Sequence, residues 1–249
     1  MATHILPLLR ALGALGNALL PCHCLLCDTN LKSDLLCQSC QLALPYLHSP
    51  TCQSCALPLN TQSHYCGHCL HNPPPFSHSL IPFRYDFPMD SMIHRFKYRR
   101  QLTQGKTLAG LLAEYLTHSY DQQRELNLPE LIVPVPLHWS RRWQRGFNQT
   151  EILGWDLARA MNIPLMTRLC RRTQRTPPQR GLSRKERQRN LRTAFSLTDR
   201  AQTALEGKCL ALLDDVVTTT STVRALGTRL IEAGAAEVHV WALARTPEH

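Results

Sequence analysis

Apolar residues at Ile5, Leu8, Leu9, Leu12, Leu15 and Leu19 recur at helical spacing, and the pattern predicts a helix over 4–20. Packing on its own protein is the expected role of that helix. A membrane-surface or partner helix is the alternative, weakened by the scarcity of cations along it. Further along, short apolar runs alternate with amphipathic segments. Strands are predicted near 79–85, 131–135, 193–198, 208–213 and 237–243, and helices near 89–98, 105–122, 148–161 and 221–233. Strands separated by helical segments predict an α/β domain: a parallel sheet flanked by helices, with ligands at the carboxyl ends of its strands.

Between these regions cysteines replace periodicity. Nine of the eleven lie between Cys22 and Cys69, and eight form Cys-x-x-Cys pairs: Cys24/Cys27, Cys37/Cys40, Cys52/Cys55 and Cys66/Cys69. One such turn aims two thiolates at a tetrahedral ion, and two turns close a Cys₄ site with no open position, which is structural work. Two zinc ions are therefore expected, paired in sequence order like two ribbons, although spacing leaves interleaved pairing open. Cys22 is surplus, and Cys22, His64 or His68 are alternative ligands. So short a segment has little apolar core, so metal binding is expected to supply its folding energy. The stiff "NPPPF" at 72–76 then marks a boundary. The expected organisation is an N-terminal amphipathic helix (1–21), a cysteine module (22–71), a linker (72–78) and an α/β domain (79–249).

Charge sharpens the division. The chain carries +10 in 249 residues, yet residues 1–80 hold only Arg10 and Lys32 against Asp28 and Asp34, so the excess belongs to the second module. Two Zn(Cys)₄ centres would lower the total to about +6. A basic domain of this kind is expected to meet something anionic. The leader lacks a basic start and is interrupted by Arg10 and Asn17, so no secretory signal is expected, nor is any run long enough to span a bilayer. A reducing cytoplasm is the expected compartment, and there paired cysteines read as metal ligands.

The stretch "ALLDDVVTTTST" (211–222) ends a buried strand on two adjacent carboxylates and runs on through hydroxyl residues into a helix. A loop entering a helix offers free N–H groups and the positive end of the dipole to a phosphate. Thr218, Thr219, Thr220, Ser221 and Thr222 add hydroxyl donors. Asp214 and Asp215 cannot favour that phosphate, but they can accept hydrogen bonds from the vicinal diol of a ribose. The combination reads as a receptor for ribose 5-phosphate; helix capping by Asp and Thr is the plainer alternative.

These residues resemble the phosphoribosyl-diphosphate (PRPP) signature of the type I phosphoribosyltransferases. "VPVPLHWSRRWQRGFNQTEILG" (133–154), "HRFKYRRQ" (94–101), "PQRGLSRKERQRNLRTAF" (178–195) and the cysteine module are similar to the ComF/GntX family, a branch of that fold associated with competence and DNA utilisation. The resemblance covers nearly the whole chain. It implies a type I phosphoribosyltransferase-like sheet behind a double zinc ribbon. Asp214 and Asp215 would hold the ribose hydroxyls, and the backbone from Thr218 to Thr222 the 5-phosphate. The family usually has glycine where this chain has Thr220. Because a β-branched residue resists positive φ, either the loop stays at negative φ or phosphate binding is weakened.

Two basic segments complete the picture. Arg141, Arg142 and Arg145 follow a strand end; Gly146 permits a tight turn and Asn148 can cap the next helix. The resemblance places the diphosphate-contacting loop here, with Arg145 as first candidate and Lys97 and Arg99 in reserve, against a plain solvated surface. Residues 171–192 hold nine Arg or Lys and one acid. They have no aromatic platform for bases, and their Pro and Gly break helix. A cationic flap over a polyphosphate is the expected role, with Gln179, Arg187 and Asn190 at the family's polar landmarks. The same charge attracts nucleic-acid phosphates.

The implied activity is transfer of a phosphoribosyl group from PRPP with Mg²⁺ to an acceptor the sequence does not identify. The rival is a non-catalytic adaptor for DNA uptake or utilisation, gripping single-stranded DNA and docking DNA-uptake proteins. A thiol redox protein, the third reading, predicts no tightly held zinc.

Overall fold

A computed structural model describes residues 22–48, 50–137, 143, 145–173 and 194–247. The helix expected over 4–20 lies outside them, as do Arg141, Arg142, Gln179, Arg187 and Asn190. The chain divides into two compact units, Met1–Leu44 and Pro45–His249, so the boundary falls between the two pairs of Cys-x-x-Cys turns. The first unit contains β1 (Cys22–His23) paired antiparallel with β2 (Asn30–Leu31), and the short helix α1 (Gln38–Leu42). The second begins with the other ribbon, closed by α2 (Gly67–His71).

The α/β part of the second unit is built on a four-stranded parallel sheet. Its strands are β3 (His78–Leu80), β5 (Leu131–Pro134), β8 (Cys209–Leu213) and β10 (Glu237–Trp241), in the order β3-β10-β8-β5. Every residue of β8 is buried, as a central strand covered on both faces requires. Short parallel strands β4 (Phe83–Arg84), β9 (Val216–Val217) and β11 (Ala244–Arg245) form a second sheet just beyond the ends of β3, β8 and β10. Helices α3 (Met89–Arg99), α4 (Leu102–Gln122), α5 (Gln149–Met161) and α7 (Ser221–Glu232) match the expected segments within a few residues. The fifth helix, α6 (Ala201–Leu205), is a single turn before β8.

The strand expected at 193–198 exists as β7 (Phe195–Leu197), but it does not join the main sheet. It pairs antiparallel with β6 (Cys170–Arg172); residues 174–193 of the basic segment, where the flap is expected, lie outside the described residues. No helix among the described residues is long and apolar enough to cross a membrane.

Close contact between α3 and α4 rests on one missing side chain. A Cβ at Gly105 would come within 2.5 Å of the fully buried Phe96 ring. Lys97, the next residue of α3, reaches the site described below. Gly105→Ala is expected to lower stability by about 1–3 kcal/mol, the usual cost of overpacking a core, measured by urea unfolding.

Candidate ligand cleft and zinc centres

The eight paired cysteines form two clusters, Cys24/Cys27/Cys37/Cys40 and Cys52/Cys55/Cys66/Cys69, in the sequential pairing. No disulfide joins them. Cys27 Sγ and Cys37 Sγ are 3.6 Å apart, and Cys55 Sγ and Cys66 Sγ 3.7 Å. A tetrahedron with Zn–S bonds of about 2.3 Å has edges of about 3.8 Å, so both clusters fit zinc. All four sulfurs of the second cluster are buried. Backbone N–H groups already donate to Cys24 Sγ (from Cys37) and Cys66 Sγ (from Cys69), each at 3.4 Å, as thiolate ligands need.

A small, open cleft lies at the carboxyl end of β8, lined by Asp214, Val216, Val217, Thr218, Thr220, Ser221, Thr222 and Val223. One carboxylate and the hydroxyl-rich turn therefore share an opening. The first-turn amides of α7 point out of the helix unpaired by it. Thr219 Oγ1 lies 2.9 Å from Ser221 Oγ beside them.

The two acids divide. Asp215, 6% exposed, is held by Lys97 Nζ at 2.8 Å and by Gln149 Nε2 at 2.5 Å, and it is not among the cleft residues. Asp214 lines the cleft and accepts from the Asp215 N–H at 2.8 Å. Burial, then the neighbouring Asp215 charge, push the Asp214 carboxyl up to about 7. Lys97, a reserve candidate for diphosphate, pairs with Asp215. Arg145 lies flat on α3: its guanidinium is 4.7 Å from the Tyr98 ring centre, and Nη2 donates to Tyr98 Oη at 3.0 Å. Arg99 is exposed in the last turn of α3 and is not a cleft residue.

Local sequence explains these placements. Asn148 caps α5, accepting from the Thr150 N–H, and its Nδ2 donates to the Val135 carbonyl; this fixes Gln149 at the helix start, facing Asp215. Gly146 has φ +82°, the tight turn expected of it. Thr220 has φ +59°, so the loop does not stay at negative φ. A left-handed β-branched residue costs roughly 1–2 kcal/mol, and here its hydroxyl has a compensating bond.

That bond comes from Arg224, which sequence reading passed over because one arginine in an amphipathic helix carries no signal. Its Nε donates to Thr220 Oγ1 at 3.1 Å, Nη1 to the Asn72 carbonyl at 2.9 Å, and Nη2 to Cys69 Sγ at 3.7 Å. Arg245, 1% exposed, works alongside: Nε donates to the Cys55 carbonyl at 2.9 Å, and Nη1 to the carbonyls of Val217 and Thr218. The second zinc cluster is thus tied directly to the turn that borders the cleft.

The fold and the cysteine clusters define an α/β protein, a parallel sheet flanked by helices, that carries a double zinc ribbon. Residues 15–70 match the double zinc ribbon domain family. Competence protein F of Haemophilus influenzae is 37% identical over 226 residues, covering 90% of this chain and 96% of that protein. DNA utilization protein YhgH of Escherichia coli is 38% identical over 196 residues, 78% of this chain and 84% of that one. The chain belongs to the ComF/GntX family. A glutamine PRPP amidotransferase from B. subtilis aligns at 23% identity and a TM-score of 0.36 over 55% of this chain and 25% of its own length, a likeness too faint to bear on the fold.

Two outcomes test this geometry. Between 3.8 and about 7 the folded chain holds a proton on Asp214 that the unfolded chain has lost, so Asp214 withdraws stability as pH rises. The melting temperature of Asp214→Asn is expected to equal that of the native protein near pH 4 and to exceed it by several degrees above pH 7, in differential scanning calorimetry. Arg224→Ala is expected to weaken zinc at the second cluster about 10–100-fold, the usual effect of removing an outer-shell partner. The first cluster should be unchanged, read by chelator-driven zinc release.

Proposed function

We propose that the cleft binds the ribose 5-phosphate part of PRPP, and that the protein uses it in phosphoribosyl transfer linked to DNA uptake or utilisation. The observation that carries this reading is a cleft walled on one side by the Asp214 carboxylate and on the other by the 218–222 turn at the start of α7. Asp214 accepts from the ribose hydroxyls; the turn amides and the Thr218, Thr219, Ser221 and Thr222 hydroxyls donate to the phosphate. A cation bound with the ligand would favour the charged form of Asp214. Mg²⁺ arriving with PRPP would supply charge that lets diphosphate leave. Asp215 and Lys97 act behind the cleft, keeping the strand end in place, and Arg145 stands by for the departing diphosphate. Catalysis of this kind comes from positioning and electrostatics.

The second reading is the non-catalytic adaptor, and the +10 charge favours it because phosphate contacts dominate nucleic-acid affinity. Single-stranded DNA is its ligand, DNA-uptake proteins its partners and the cytoplasm its compartment.

Isothermal titration of the full chain with PRPP and Mg²⁺ is expected to show one site, weakened at least tenfold in Asp214→Ala. Diphosphate release with candidate acceptors then marks the enzyme. Absence of PRPP binding at millimolar ligand, together with salt-sensitive DNA binding that survives Asp214→Asn and Asp215→Asn, would leave the adaptor.

A further inference from the structure

At the opposite end of the main sheet from the cleft lies a second concentration of chemistry, on residues with no part in the function proposed above. His78 of β3 and His239 of β10 are register partners on adjacent parallel strands, so both side chains leave the same face. Glu237, two residues before His239, shares that face. One ligand atom from each of the three lies within 4.8 Å of the other two. His239 Nε2 and Glu237 Oε1 are 3.0 Å apart, and the two imidazoles meet edge to face with centres 5.4 Å apart. We propose that His78, Glu237 and His239 form a third metal site, taking Zn²⁺ with an open fourth position.

Two observations support it beyond proximity. First, His78 Nδ1 is buried and has no hydrogen-bond partner among the described residues. A buried polar atom left without a partner calls for a bound water or ion. Second, the other two ligands already have the outer contacts that hold a metal site rigid. Tyr120 Oη sits 2.7 Å from His239 Nδ1 and accepts from Trp241 Nε1 at 3.1 Å. Glu237 accepts from Ser77 Oγ at 2.6 Å and from Asn127 Nδ2 at 3.1 Å.

The donor set decides the class of ion. Two imidazoles and one carboxylate suit zinc-like ions rather than Mg²⁺ or Ca²⁺, which prefer all-oxygen shells. Three protein ligands leave a position for water, unlike the closed Cys₄ centres, so the ion here is exchangeable and weaker. For Zn–N and Zn–O bonds of about 2.0–2.1 Å the tetrahedral edge is about 3.3 Å, so the 3.0 Å pair is nearly in place and rotation of the half-buried His78 ring closes the rest.

The test uses the full chain carrying zinc in both Cys₄ centres. Titration with Co²⁺ is expected to add one equivalent showing visible d–d bands without thiolate charge-transfer absorption, and Zn²⁺ is expected to displace it. His78→Ala and Glu237→Gln should each weaken that equivalent at least tenfold while retaining two zinc ions. Histidine ¹⁵N spectra of the unmutated protein provide a reading independent of variant folding, since Zn²⁺ should shift His78 and His239 together. No third equivalent in the unmutated protein, unshifted His78 and His239 resonances, or Co²⁺ uptake undiminished in a folded His78→Ala would overturn the site and leave a hydrogen-bonded relay from Trp241 to Glu237.

Discussion

A carboxylate with 6% exposure at the end of a central strand is tolerable only if its charge is met, and the meeting of Asp215 with Lys97 and Gln149 organises much of the second unit. Removing one partner of such a buried pair strands the other, typically at 3–5 kcal/mol. The interaction therefore fixes where the end of α3 and the start of α5 lie against β8. Gly105 and Asn148 serve it from either side, one by letting α4 approach Phe96, the other by capping α5 so that its first side chain faces inward. With Asp215 so engaged, Asp214 alone of the acidic pair faces the cleft.

The second zinc ribbon belongs to this arrangement rather than hanging from it. Arg224 and Arg245 connect Cys69 Sγ and the Cys55 carbonyl to Thr220, Val217 and Thr218. These bonds make a left-handed threonine tenable at position 220. Glycine reaches that conformation through backbone freedom; here a side-chain hydroxyl, held by an arginine that also touches a zinc ligand, holds the turn in place.

Elements that obey a simple periodicity were legible in the sequence. The amphipathic segments 89–98 and 148–161 and the apolar run 208–213 became α3, α5 and β8 with ends displaced by a residue or so. Cys-x-x-Cys spacing found all eight ribbon ligands, because turn and metal geometry are local. What failed to show was tertiary in origin. Two-residue strands such as β9 and β11 lie below any period, and β7 left the main sheet because its partner, β6, lies across the basic segment. The Asp214/Asp215 pair read as one device; the approach of Lys97 and Gln149 from other helices, which engages Asp215, has no signal in the local sequence. His78 and His239 are 161 positions apart, and nothing but strand register joins them.

Arg245 also bears on how the molecule comes into being. Its guanidinium binds the Cys55 carbonyl across 190 residues, and β3 finds its neighbour only in β10. During synthesis the first ribbon can close around its metal early, since its ligands are local. The zinc ligands of the second ribbon are equally local, but its bonds to the hydroxyl turn and the seating of the edge strand must wait until β10 and Arg245 have been made. Any change that removes Arg245 takes away the latch between the second ribbon and that turn.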